Sequence, residues 1–225
     1  IDYSKYLIFK LRIKHTSSVV SSNFKNIICM RYILCLFIII GLSSCKDKAY
    51  EYEKEFLEKY VDGKRALSYE LTDHFPSHLK ADKQLSISYP AGAYANGMAN
   101  MIFSHKVDST DFNTVTRKLK LSKIKTYQPT DSIFIIIGDS LDYSKKISGI
   151  PIPSFQSYER DFGLNSKYLT DNHNLYVLEY KPGKYMDKEY LTSKNKLPEK
   201  WKNGFSRGIA INESQRELIY WTCVW

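Results

Sequence analysis

The stretch from Phe205 to Trp225 constrains the fold of this chain more than any other. Phe205 to Asn212 and Glu217 to Trp225 are apolar-rich runs that flank the polar loop Glu213-Ser214-Gln215-Arg216. A four-residue loop makes the two runs a β-hairpin. It sets Gly208 across from Trp221 and Ala210 across from Ile219, a small residue opposite a large one each time, so that face can pack closely. The other face pairs Ile211 with Leu218 and Ile209 with Tyr220. With both faces apolar, the hairpin has to be covered on two sides, and it belongs at the centre of a sheet although it comes last in sequence.

The segments before it supply the rest of a mixed fold. Tyr52, Phe56 and Tyr60 recur every four residues, which predicts a helix over about 50–61 with three rings on one face, stopped by Asp62-Gly63. Leu85 to Tyr89, Met101 to Val107, Ile133 to Ile137 and Leu175 to Tyr180 read as strands. Asp111 is placed to cap a helix over 112–121, although Lys118-Leu119-Lys120-Leu121 also alternates like a strand. Residues 141–172, with Pro151, Pro153 and Gly163, read as loop, and Lys181-Pro182-Gly183-Lys184 as a turn. Leu197 to Trp201 reads as a short helical turn. Strands and helices do not alternate regularly, and no repeat is visible. The expectation is a single α+β domain with a mainly antiparallel sheet, a few helices and a buried C-terminal hairpin.

A second feature divides the chain. Ile33 to Gly41 is solidly apolar, preceded by Met30-Arg31-Tyr32 and followed by Leu42-Ser43-Ser44-Cys45. Nine residues are too few to cross a bilayer, which takes about 20, but they suit the apolar core of a signal peptide. Leu42 to Cys45 resembles the lipobox of bacterial lipoproteins. That resemblance implies cleavage between Ser44 and Cys45 and transfer of a diacylglyceryl group to the Cys45 sulfur, with palmitate among the acyl chains. Lys46 stands where an Asp commonly retains lipoproteins at the inner membrane, so the resemblance implies the outer membrane. Asp47, Glu51 and Glu53 are similar to acidic signals that send some lipoproteins to the cell surface. The expected organisation is a leader over 1–29, a signal peptide over 30–44, a lipidated tether over 45–51 and the α+β domain over 52–225. The 1–29 segment contains no Met; it reads either as upstream sequence translated in front of Met30 or as a long basic extension of the signal.

Charge and cysteine content change meaning after that division. Residues 1–44 hold six Lys/Arg against one Asp, so they carry +5 of the net +9. The remaining +4 is ordinary for a soluble domain with interspersed signs, and it gives no basis for nucleic-acid binding. Of four cysteines, only Cys223 lies beyond the tether, so the domain has no internal disulfide to draw on. Cys223 sits in an apolar run and reads as a buried thiol.

Candidate chemistry is sparse. Gly138-Asp139-Ser140-Leu141, directly after the apolar run 133–137, resembles the nucleophile block of GDSL-type esterases, and Gly163-Leu164-Asn165 is similar to that family's Gly-x-Asn block. The resemblance implies Ser140 as nucleophile with His173 as base. Asp171-Asn172-His173 has one spacer where the family has two, and no further βαβ units follow. Gly-Asp-Ser is also a common way to end a strand in a turn. His74 and His78 are spaced to share a metal on a helix, but Pro76 between them breaks such a helix, which leaves them as surface or turn histidines. His105 and His173 stand alone in sequence. The five charges between Arg117 and Lys125 read as a solvated face. Fifteen Tyr beyond residue 44 are mostly core, with Tyr185 and Tyr190 as candidates for exposure.

No cofactor or metal is expected. The reading that follows is a non-enzymatic, membrane-anchored envelope lipoprotein that binds a glycan or an envelope protein. A small GDSL-like esterase and a structural envelope component stand as alternatives.

Overall fold

The computed structural model describes residues 50–79, 83–88, 97–155, 169, 172–191 and 196–225. The chain divides into two compact units, residues 1–58 and 59–225. The segment expected to be a signal peptide and Cys45 lie outside the described residues, as do Gly163-Leu164-Asn165 and Asp171. Of the first unit, residues 50–58 are described: they are helical and open helix α1, which runs over 50–66. Among the described residues no helix is long and apolar enough to cross a membrane.

The second unit is an α+β core built on a six-stranded sheet. Its strands are β1 (Lys83–Ser88), β2 (Ala99–Lys106), β3 (Thr126–Tyr127), β6 (His173–Pro182), β7 (Gly204–Asn212) and β8 (Glu217–Val224). They lie in the order β1-β2-β8-β7-β6-β3, with every pairing antiparallel. Strands β4 (Phe134–Ile137) and β5 (Ile150–Pro153) form a separate parallel pair. Helix α2 (Ser109–Leu121) connects β2 to β3.

The hairpin expected from sequence is the centre of this sheet. Gly208 faces Trp221, Ala210 faces Ile219, Ile209 faces Tyr220 and Ile211 faces Leu218. Every residue of β8 is buried. A side chain at Gly208 would place its Cβ 2.3 Å from the Trp221 ring and 2.5 Å from the Tyr176 carbonyl oxygen. The indole therefore occupies the space that the glycine leaves.

Each face of the sheet has its own cover. On the face of Ile209 and Tyr220, Tyr60 meets Phe103 edge-on at 5.1 Å, and Phe75 lies 5.8 Å from Tyr220. Gly63 does not stop α1, contrary to the sequence expectation. A Cβ there would lie 2.8 Å from Ile87 and 3.2 Å from Met101, so the glycine lets the helix sit close against the sheet. On the face of Gly208 and Trp221, the β4–β5 pair packs Phe134, Ile150 and Ile152 against Leu175, Val177, Ala210, Ile219 and Trp221. A second apolar group joins Ile135 and Ile137 to Trp201, Cys223 and Trp225, and the Trp225 indole N–H donates to the Trp201 carbonyl at 2.9 Å.

Two further expectations are corrected. Asp108, not Asp111, caps α2: its carboxylate accepts from the Asp111 backbone N–H at 2.9 Å, and the helix begins three residues earlier than expected. Three buried residues on one face, Phe112, Thr116 and Leu119, decide for helix over strand. Pro151 and Pro153 lie in β5 rather than in a loop. The Ile150 and Ser154 N–H groups donate to Ile133 and Ile137 carbonyls of the β4 segment, so the prolines take the alternate positions whose missing N–H would point away from the partner.

Candidate functional site

The β4–β5 pair ends beside a groove. Both strands run in the same direction, so their C-terminal ends open together, as in the crevices where parallel sheets commonly hold ligands. Gly138 follows β4 with φ +93°, a backbone shape that glycine adopts freely. It turns the chain so that Asp139 and Ser140 reach the groove. The cavity has a volume of about 470 Å³. Leu175, Ile136 and Ile152 line it within the core, and Pro129, Pro153, Phe155 and Leu169 add further apolar wall. Asp139, Ser140 and Ser154 supply its polar side. Phe155 stands perpendicular to the Trp221 ring at 5.2 Å, so the groove is coupled by contact to the centre of the sheet. Two other depressions, on α2 and at 187–189, are each lined by a single segment.

Gly-Asp-Ser also builds its own turn. The Asp139 carboxylate accepts from the Leu141 N–H at 3.2 Å and from the Tyr143 hydroxyl at 3.1 Å. Burial, and then that carboxylate, raise the Tyr143 hydroxyl pKa above its usual value. Lys196 donates to the Ser140 carbonyl, which ties the turn to the segment before the 3₁₀ turn Glu199–Trp201. Ser140 is exposed at the groove, whereas His173 is buried in β6 and is not among the lining residues. The His173 Nε2 lies 3.9 Å from the Glu217 carboxylate, across the turn end of the hairpin. Only the serine of the expected pair is thus placed at the groove.

The other histidines separate in the same way. His74 is not a surface residue. Its ring is buried, Nε2 lies 3.1 Å from the Trp221 carbonyl, and it meets the Phe75 ring edge-on at 4.8 Å. Burial, reinforced by the Arg207 charge, lowers its pKa to about 4. His78 is exposed and bonded to Ser77. His105 packs on Phe103 and Tyr220. Among the described residues no three His, Cys, Asp or Glu side chains come together as a metal site. Burial pushes the Tyr220 hydroxyl pKa up to about 12, with Asp111 adding to the shift.

Sequence reasoning missed Phe155, Pro129 and Leu169, which make the groove. Their only common signal was a position in or beside turns, and nothing local brings them together. Cys223 is buried, as its apolar surroundings implied. Tyr185 is 41 % exposed yet seats its edge on Phe205 at 4.6 Å, and Tyr190 is half-buried. Arg117 and its basic neighbours lie on the exposed side of α2 and the turn after it. Comparison finds no protein-family model, no curated protein and no solved structure that matches this chain.

Proposed function

We propose that this protein is an envelope lipoprotein, tethered through Cys45, whose α+β domain binds a glycan in the groove at the ends of β4 and β5. One observation carries the binding reading: a groove of about 470 Å³ with proline and phenylalanine on its walls and Asp139, Ser140 and Ser154 at its polar side. A sugar ring presents an apolar C–H face and a rim of hydroxyls, and those two lining types match the two surfaces. The tether reading rests on the order Arg31, apolar 33–41 and Leu42-Ser43-Ser44-Cys45.

Titration of the protein with oligosaccharides from envelope polysaccharides, followed by Trp fluorescence, tests the groove, since Phe155 touches Trp221. Phe155→Ala and Asp139→Ala should each weaken binding about tenfold, as expected for loss of one stacked or charge-assisted contact. Affinity unchanged in both variants removes the groove from the account. Ser140 at the groove favours one second reading, an ester hydrolase. Turnover of a small ester that Ser140→Ala abolishes would replace glycan binding with that activity. Labelling with a palmitate analogue should tag the wild type and spare Cys45→Ala; equal labelling ends the tether reading.

A further inference from the structure

The groove at the ends of β4 and β5 has an unbalanced charge. Among the described residues that line it, Asp139 alone is charged; the rest are apolar, glycine or serine. That charge is not met by a cation. The two groups bonded to the carboxylate, the Leu141 N–H at 3.2 Å and the Tyr143 hydroxyl at 3.1 Å, are both neutral. Each holds a different oxygen, so the carboxylate is fixed in direction. A carboxylate has about four acceptor positions, and two then remain.

The neighbouring lysines are directed elsewhere, and none of them lines the groove. Lys196 donates to the Ser140 carbonyl at 2.5 Å and Lys146 to the Phe134 carbonyl at 2.7 Å. Lys145 and Lys196 act on Asp142, whose pKa is lowered first by the Ser144 N–H and hydroxyl and then by those two charges.

The hydroxyls of Ser140 and Ser154 suffice for the rim of a neutral sugar. An acidic sugar would meet a like charge at Asp139. A fixed carboxylate without a cation selects a cation, and on a sugar ring that group is a protonated amine. An ammonium has three donors to share among Asp139 and the two serine oxygens. The Phe155 ring lines the same groove, and an aromatic ring attracts a cation where an aliphatic wall does not. We propose that the groove takes an amino sugar with a free amine, and that the Asp139 carboxylate holds its ammonium. This rests on the glycan reading above and narrows it.

The test is calorimetric titration of the protein at about pH 6, where amine and carboxylate are both ionised. Three disaccharides are compared: one of glucosamine, its glucose counterpart with hydroxyls in place of the amines, and one that contains glucuronate. The glucosamine form should bind about fivefold more tightly than the glucose form, the upper end of what an exposed ion pair contributes. The glucuronate form should bind more weakly than either. The preference should fall towards parity in Asp139→Asn and, for the wild type, in about 0.5 M salt, which screens an exposed pair. The salt series needs no variant, so it decides even where Asp139→Asn does not fold. Three results overturn the amino-sugar proposal while glycan binding stands. One is equal affinity for the glucosamine and glucose forms. Another is a preference that survives in Asp139→Asn or in high salt. The third is binding of envelope oligosaccharides without any of the three disaccharides. Failure of every sugar to bind overturns both readings together.

Discussion

At the residue scale, two positions show how little tolerance the core has. Gly208 is a glycine because its partner is an indole. A Cβ would meet Trp221 at 2.3 Å and the Tyr176 carbonyl at 2.5 Å, and the second contact is with backbone that has nowhere to turn. Gly208→Ala should therefore destabilise the protein by about 1–3 kcal/mol, the usual cost of overpacking, read as a lower denaturation midpoint. His74 gives a pH dependence with a definite sign. Its folded pKa, about 4, lies below the 6.5 of a free imidazole. The unfolded chain then binds a proton that the folded ring refuses. Its contribution is fully present above about pH 6.5 and is lost progressively as the pH falls towards 4. His74→Gln keeps a donor for the Trp221 carbonyl and removes the titration. Urea melts between pH 7 and 4.5 should show a shallower fall in stability for the variant; identical slopes would mean that His74 is not the group responsible.

At the element scale, α2 depends on a cap that lies one residue before it. Asp108 satisfies the Asp111 N–H, and Lys118 and Lys120 lie in the last turn, so both ends complement the helix dipole. Asp108→Ala should cost about 1 kcal/mol, whereas Asp111→Ala, removing a first-turn charge but no cap, should cost less than half of that. Thermal melts of the two variants decide between them. This is also where reading from sequence alone fell short. Asp108 and Asp111 are equally good caps by residue type; Phe112, Thr116 and Leu119 facing the core set the phase of the helix, and only packing reveals that phase. In β5 the prolines signalled loop. They are allowed because β4–β5 is a two-stranded pair, in which alternate N–H positions of β5 have no partner to lose. Asp62-Gly63 signalled a helix stop, whereas Gly63 answers a close approach to Ile87 and Met101, residues remote in sequence.

At the scale of the whole domain, Arg207 joins layers that the chain itself does not connect locally. From β7 its guanidinium reaches the Asp73 carboxylate and the Glu70 carbonyl at 2.8 Å on one side and the Glu179 carboxylate at 2.9 Å on the other. A bulge in β6 between Val177 and Glu179 brings Glu179 across from Arg207. The Arg207 side chain is 18 % exposed, so the pairs are partly shielded from water. Arg207→Met should cost about 1 kcal/mol, because Glu179 keeps Lys181 and Asp73, 64 % exposed, is left to water. It should also speed hydrogen exchange in residues 67–79 more than in β7 and β8. Uniform exchange would show that Arg207 does not hold that segment down in particular.

What the sequence determined by itself was the hairpin, down to its register, because a four-residue loop and two doubly apolar strands leave one way to pair small with large. It also determined the α+β class and the burial of Cys223. Only the tertiary structure decided where Asp139 and Ser140 open onto a groove, that His173 faces Glu217 rather than that groove, and that His74 is sealed against the sheet. Local periodicity records which way a side chain points relative to its neighbours in sequence. A site assembled from 129, 140, 155, 169 and 175 depends on distances across the fold, and those are set by packing.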